Sequence, residues 1–311
     1  MSLVSLRNSC ILVTGGTGSI GRALVEELQR HGVREVRVLA RRKRTHDAGR
    51  SLEGRKIQFV EADIAETDRL TDVVEGVDII FHLAALKDVT ACEADPKTAH
   101  RTNVVGAANL LKATSQVPGV RRLIAVSSDK ACAPQGVLGI TKALMERLVT
   151  ETAQDRRRSF GSVRLGNVWG ASGSVLARWH ESAARDGRID VTDPQMSRFI
   201  ITQQEAVRLL VALAARPFVG EVVAPRMRAY RLGDLANAFA KERSVAVRII
   251  GPRPGEKIHE DLVSPEEAVA AREEGDLIVI DGRADGPGID PFTSAQAETL
   301  SELELRELVR L

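Results

Sequence analysis

Apolar residues along the first half of the chain fall in short runs separated by segments of helical period. Cys10 to Thr14 reads as a buried strand, and Ile20, Leu24, Val25 and Leu28 then recur at helical spacing up to Gly32. Further strands are predicted at Glu35 to Ala40, Ile57 to Glu61, Asp78 to Ala84, Arg122 to Ser127 and Ser159 to Leu165. Helices are predicted between most of them, near Leu70 to Glu75, Asn103 to Ser115 and Thr141 to Gln154. Strands joined by helices of this length need right-handed crossovers, and therefore a mostly parallel sheet covered on both faces. The expected class is α/β, a doubly wound parallel sheet with a smaller lobe.

After about Gly170 the rhythm weakens. Gln203 to Ala215 is a strong amphipathic helix, Gly233 to Lys241 a shorter one, and Gly251-Pro252-Arg253-Pro254-Gly255 a rigid turn. Leu300 to Leu311 reads as a helix docked by one face. With 311 residues and no repeat or low-complexity linker, the division expected is residues 1–170 for a nucleotide-binding domain and 171–311 for a substrate-binding lobe interleaved with it. A formal charge of +2 and 3% aromatic residues leave no nucleic-acid footprint, by charge or by stacking. Three cysteines without disulfide or metal spacing suit a reducing compartment, and no metal site is expected. No run approaches a membrane span and no secretory signal is evident, so the expected location is the cytoplasm, without membrane contact.

The first strand runs into Gly15-Gly16-Thr17-Gly18-Ser19-Ile20-Gly21 and then into a helix. Gly15 permits a tight turn, Gly18 lets backbone approach a pyrophosphate, and Gly21 allows close helix packing, with amides at the helix terminus facing the anion. A glycine turn alone can be purely structural; its place between strand and helix at the head of an α/β chain points to a dinucleotide and a Rossmann-type sheet. Where an NAD enzyme usually offers a carboxylate to the adenosine ribose, Arg41 and Arg42 follow the second strand. Guanidinium groups suit a 2′-phosphate, so NADP is expected over NAD, against the alternative of a solvated basic edge. Asp63, with Ile64 beside it, is a candidate for the adenine amino group and equally for a helix cap. His82 reads as a structural histidine, and Leu83, Ala84 and Ala85 are small enough for a cofactor to cross.

An adjacent Asp129-Lys130 pair at the carboxyl edge of a sheet can supply both an acid and a base with mutually shifted titrations, or be a simple ion pair. Lys87 adds positive potential toward phosphate or an oxyanion. Cys132, close to that pair, reads as a small buried thiol.

Together these motifs resemble the extended short-chain dehydrogenase/reductase superfamily. Ala84-Ala85-Leu86-Lys87, Ser128-Asp129-Lys130-Ala131, Arg164-Leu165-Gly166-Asn167-Val168-Trp169-Gly170 with Gly173-Ser174-Val175, Thr192 to Phe199 and Arg253 to Glu260 look like the inverting nucleotide-sugar 4,6-dehydratases of the polysaccharide-biosynthesis type. The resemblance spans roughly residues 10 to 262. It implies a held NADP, hydride leaving C4 of a UDP-N-acetylhexosamine, elimination of water across C5 and C6, and return of hydride at C6. On that resemblance Ser128 takes the superfamily's Ser/Thr place, Asp129 and Lys130 carry the acid/base work, and Lys142 positions the nicotinamide ribose. Thr17, Ser19, Ile20, Leu83 to Ala85, Lys87 and Asn103 would meet the cofactor. Lys87, Asn167, Ser174, Arg198, Arg253 and Glu256 would meet the sugar nucleotide. A homo-oligomer is implied as well.

Two positions depart from the resemblance. The pattern places a tyrosine four residues before Lys142, where this chain has Leu138, and Asp88 follows Lys87 where histidine is common. Leucine transfers no proton. The single tyrosine, Tyr230, falls in the second lobe, and nothing in its spacing puts it opposite Lys142. Three functions stay open: an NADP-dependent nucleotide-sugar dehydratase or related epimerase, a reductase or non-redox lyase on the same scaffold, and a catalytically silent binding partner.

Overall fold

The structure, a computed structural model, describes residues 6–41, 57–66, 69–154, 158–171, 173–282 and 288–310. Six strands appear in the order the pattern predicts: β1 (Cys10–Thr14), β2 (Glu35–Ala40), β3 (Ile57–Glu61), β4 (Ile79–His82), β5 (Arg122–Ser128) and β6 (Ser159–Leu165). They pair in parallel in the order β6-β5-β4-β1-β2-β3, the Rossmann arrangement. Alternate residues of β1 feed two cores. Ile11 and Val13 pack with Leu24, Val25 and Leu28 of the helix Ser19–Arg30 and with Val207, Leu210 and Leu213 of the helix Gln203–Ala215. Cys10 and Leu12 join Leu70, Val73, Leu110, Leu111, Met145 and Val149 on the other face. Period-two strands thus bury both faces, which is why their sequences read as continuous apolar runs.

Beyond Gly170 the chain returns to this sheet. Val222–Pro225 pairs in parallel with β6, Leu277–Ile280 pairs antiparallel with it, and Ala271–Glu274 closes the nine-stranded sheet. These strands have four residues each, too few for a periodicity to stand out. A separate three-stranded sheet joins β7 (Asn167–Trp169), the strand Ser197–Thr202 and the strand Arg228–Arg231. The closing helix, Glu302–Arg310, docks Leu305 and Val309 against Leu235 and Phe239, while Leu303 faces outward.

Two helix starts differ from the sequence expectation for long-range reasons. The helix expected from Thr141 begins at Val137, because Glu93 Oε1 accepts the Val137 N–H at 2.6 Å and caps it from another element. The helix expected from Asn103 opens with a π-helical turn, Arg101–Val105, before Gly106–Gln116. A Cβ at Gly106 would stand 2.6 Å from Ile64 Cγ2, so the helix backbone just past this wider turn packs against Ile64, three residues beyond β3. Among the described residues no helix is long and apolar enough to cross a membrane, and no cluster of metal-ligating side chains occurs.

One buried ion cluster ties the layers together. Arg164 on β6 donates to both oxygens of Glu146, at 3.0 and 2.9 Å, to both oxygens of Glu267, at 2.8 and 2.6 Å, and to the Leu262 carbonyl. Arg164→Met leaves two carboxylates facing each other without a cation, and is expected to lower unfolding stability by about 3–5 kcal/mol. Urea denaturation measures this; a loss within about 1 kcal/mol would show that the cluster is replaceable by packing.

Candidate active site

The loop after β1 is closed to side chains. Gly15 has φ of +69°, and a Cβ there would meet the Ala84 backbone at 2.7 Å. A Cβ on Gly21 would lie 2.5 Å from the Gly15 carbonyl oxygen, so backbone packs on backbone and the helix starts hard against the turn. Gly18 is the N-cap of the helix Ser19–Arg30, and no side chain caps that end. A helix terminus left uncapped beside a glycine turn fits a pyrophosphate.

From this loop one cavity of about 790 Å³ runs along the carboxyl edge of the sheet. Gly15, Thr17, Gly18, Ser19, Ile20 and Gly21 form its first wall, and Leu83, Ala84, Ala85 and Lys87 continue it past β4. Burial lowers the pKa of Lys87, with Asp88 opposing. Asp88 itself caps the helix Val89–Ala94, accepting the Ala91 N–H at 2.8 Å. Ser128, Lys130 and Lys142 line the middle, and Asn167, Ser174, Arg198, Arg253 and Glu256 line the far part with Trp169 and Arg178. Ser174 also caps the helix Val175–Asp186, and Glu256 accepts the Arg253 N–H at 3.2 Å.

Arg41, Asp63 and Ile64 line the other end of the cavity, while Arg42 lies outside the described residues. Arg41 is exposed. Asp63 is engaged by the Ala65 N–H at 2.9 Å and by Arg101 at 3.1 Å. Asn103 is not on the wall. Its amide brackets both backbone groups of Leu86, at 2.8 and 3.0 Å, and donates to Thr141 Oγ1, so it ties the loop after β4 to the helix Val137–Thr152.

The centre of the cavity holds a compact charge cluster. Lys130 Nζ lies 3.1 Å from Asp129 Oδ1, 3.2 Å from Glu260 Oε1 and 3.5 Å from Asn167 Oδ1. Ser128 Oγ donates to Asp129 Oδ1 at 2.7 Å, and Arg198 Nε stands 3.6 Å from Glu260 Oε1. Asp129 is fully buried behind the wall, whereas Glu260 reaches it. Burial alone would lower the Lys130 pKa; the Asp129 and Glu260 carboxylates outweigh it and raise it. Lys142 goes the other way: burial lowers it to about 8, and Nζ donates to the Val126 carbonyl at 2.7 Å. The Cys132 thiol, buried and pushed up by desolvation, donates to Glu267 and takes no place on the wall.

Among the wall residues that sequence reasoning missed are Tyr230, Glu260 and Arg178. Tyr230 arrives by pairing of the strand Arg228–Arg231 with Ser197–Thr202, a contact across about thirty residues for which spacing carries no signal. Leu138 lines the cavity too and packs with Cys92 and Ala99.

A Rossmann sheet with a glycine loop, and a lysine-carboxylate cluster farther along the same cleft, define an extended short-chain dehydrogenase/reductase fold related to nucleotide-sugar epimerases and dehydratases. The chain belongs to the polysaccharide biosynthesis protein family, which it matches over residues 11–281. A Methanocaldococcus jannaschii protein described only as an uncharacterized membrane protein is 34% identical over 98% of this chain and 96% of its own. A UDP-glucose 4-epimerase of Rickettsia bellii is 32% identical over 96% of this chain and 94% of its own. The X-ray structure of Pen from Bacillus thuringiensis superposes with a TM-score of 0.92 at 30% identity, covering 99% of each chain.

The expectation of NADP is corrected by further structures of the fold. UDP-glucuronic acid 4-epimerase from Bacillus cereus carries NAD with its substrate; it has a TM-score of 0.72 at 21% identity, covering 80% of this chain and 88% of its own. MoeE5 and the dTDP-glucose 4,6-dehydratase DesIV of Streptomyces venezuelae also carry NAD. Among the described residues the basic side chain expected at the ribose, Arg41, is exposed, and the Asp63 carboxylate on the same wall is paired by Arg101 at 3.1 Å, so a guanidinium following β2 does not by itself make a 2′-phosphate site.

His82 illustrates a group the site leaves neutral. Its Nδ1 is 2.8 Å from Thr14 Oγ1, its Nε2 has no partner among the described residues, and burial with Lys142 nearby lowers its pKa to about 3. The unfolded chain therefore binds a proton that the folded one does not between about pH 6.5 and 3, and stability falls as pH drops through that window. His82→Phe is expected to flatten the pH dependence of unfolding there by up to one proton, about 1.4 kcal/mol per pH unit. Denaturant titrations at successive pH values measure the difference, and parallel slopes would assign the effect to other groups.

Proposed function

We propose that the chain is an NAD-dependent UDP-sugar epimerase that oxidises C4 of the sugar to a ketone and reduces it again. The observation that carries this reading is the single continuous cavity, with a closed glycine turn at one end, Trp169, Arg178 and Arg253 at the other, and proton-handling groups between them. Near full-length relatives named UDP-glucose 4-epimerase support the substrate class. Bound NAD supplies the hydride acceptor. The turn from Gly15 to Gly21 holds its pyrophosphate, Lys142 orients the nicotinamide ribose, and Arg253 with Arg178 offers positive charge to the diphosphate of the sugar nucleotide.

Dehydration is the second reading, favoured by Lys130 between Asp129 and Glu260. With its pKa raised, Lys130 is set as an acid. Removal of a proton beside the ketone then falls to Glu260, whose buried Oε2 has no hydrogen-bond partner among the described residues. Both readings begin with oxidation at C4.

Protein supplied with NAD is expected to convert UDP-glucose or UDP-N-acetylglucosamine to an isomer of unchanged mass, followed by liquid chromatography and mass spectrometry. A product lighter by one water would replace epimerisation with dehydration, and unchanged substrate across a panel of UDP-sugars would overturn both. Calorimetry is expected to show NAD binding at least tenfold tighter than NADP, about 1.4 kcal/mol.

A further inference from the structure

Tyr230 stands directly across an antiparallel ladder from Arg198, so the two side chains leave one face of the three-stranded sheet. Asn167 pairs with Ile200, two residues from Arg198, and shares that face. Chemistry fixes the orientation of its amide. Lys130 Nζ is near Asn167 Oδ1 and an ammonium accepts nothing, so Asn167 turns Nδ2 to the phenol and donates to Tyr230 Oη at 3.2 Å.

The phenol oxygen thus receives a hydrogen bond, while its own proton has no protein acceptor among the hydrogen bonds of the described residues. Tyr230 is 2% exposed and lines the cavity. A buried O–H held by its oxygen at a cavity wall is a donor set for a ligand oxygen. Leu138, on the helix that carries Lys142, offers no such group.

We propose that Tyr230 is the proton-transfer residue of this site, protonating the sugar's C4 oxygen as hydride returns to C4 and taking that proton back in the oxidative direction. The proposal rests on the reading of the chain as an NAD-dependent UDP-sugar enzyme. In reduction a C–H bond forms at C4 with the electron pair of the hydride delivered by the reduced cofactor. The carbonyl π pair moves to oxygen, the phenol O–H breaks to protonate it, and a phenolate remains beside Asn167, Arg198 and Lys130. Oxidation reverses each movement. Burial raises the phenol pKa, with the Asn167 hydrogen bond and the Arg198 and Lys130 cations opposing, so the resting group is a neutral donor.

Tyr230 is the only tyrosine in the chain, so the near-ultraviolet tyrosinate band reports this residue alone. UDP-glucose, and not UDP, is expected to shift the midpoint of its alkaline titration, because only the sugar reaches the phenol. Tyr230→Phe is expected to lower turnover by about 10²–10⁴-fold, with UDP-glucose affinity kept within about tenfold. Turnover of this variant within about tenfold of wild type would overturn the proposal. A wild-type protein that converts no UDP-sugar removes the proposed activity, while the tyrosinate titration still decides on Tyr230. Absence of a shift with UDP-glucose, whether the sugar does not bind or does not reach the phenol, overturns the contact.

Discussion

Arg164, a guanidinium sealed between Glu146 and Glu267, is the interaction on which the geometry of the cleft depends. Glu146 lies one turn beyond Lys142 on the helix Val137–Thr152, so the cluster sets how that helix sits against β6. Three residues after Arg164 the chain leaves the main sheet as β7 and delivers Asn167. The guanidinium also takes the Leu262 carbonyl, two residues past Glu260. One buried cation therefore relates Lys142, Asn167 and Glu260, which belong to three distant stretches of sequence. Charges so deep are retained at a desolvation cost that only their mutual hydrogen bonds offset.

Electrostatic balance continues into the cavity. Asp129 and Glu260 face Lys130 and Arg198, giving two anions and two cations within a few hydrogen-bond lengths. Each carboxylate keeps one buried oxygen without a partner among the described residues, Asp129 Oδ2 and Glu260 Oε2. Such atoms are costly in a resting protein and useful where a ligand proton has to be handled. The glycine turn works by the opposite means: it brings no charged side chain, only backbone held close by the lack of Cβ atoms at Gly15 and Gly21.

The nucleotide-binding half was legible because its signals are local. Buried parallel strands show as apolar runs, their crossover helices as a period of 3.6, and the turn between them as glycines at fixed positions. Part of the cavity wall was legible too, since Ser128, Lys130 and Asn167 lie at or just past the carboxyl ends of strands in a doubly wound sheet. Arg41 misled in cofactor choice, because the charge of a guanidinium is readable from sequence while what it faces is not, and related structures of the fold carry NAD. Asn103 misled similarly: its amide is consumed by Leu86 and Thr141, which only the packed structure reveals.

By itself the sequence determined the succession of strands and helices in the Rossmann half, the glycine turn and the Asp129-Lys130 pair, all consequences of short-range period and adjacency. Tertiary structure alone decided that the four-residue strands after Gly170 return to the main sheet, and that Glu260 meets Lys130. It also decided that Tyr230 enters the cleft. Strand register across a sheet depends on which faces can be buried together, and that is settled by the whole fold and not by neighbours in the chain.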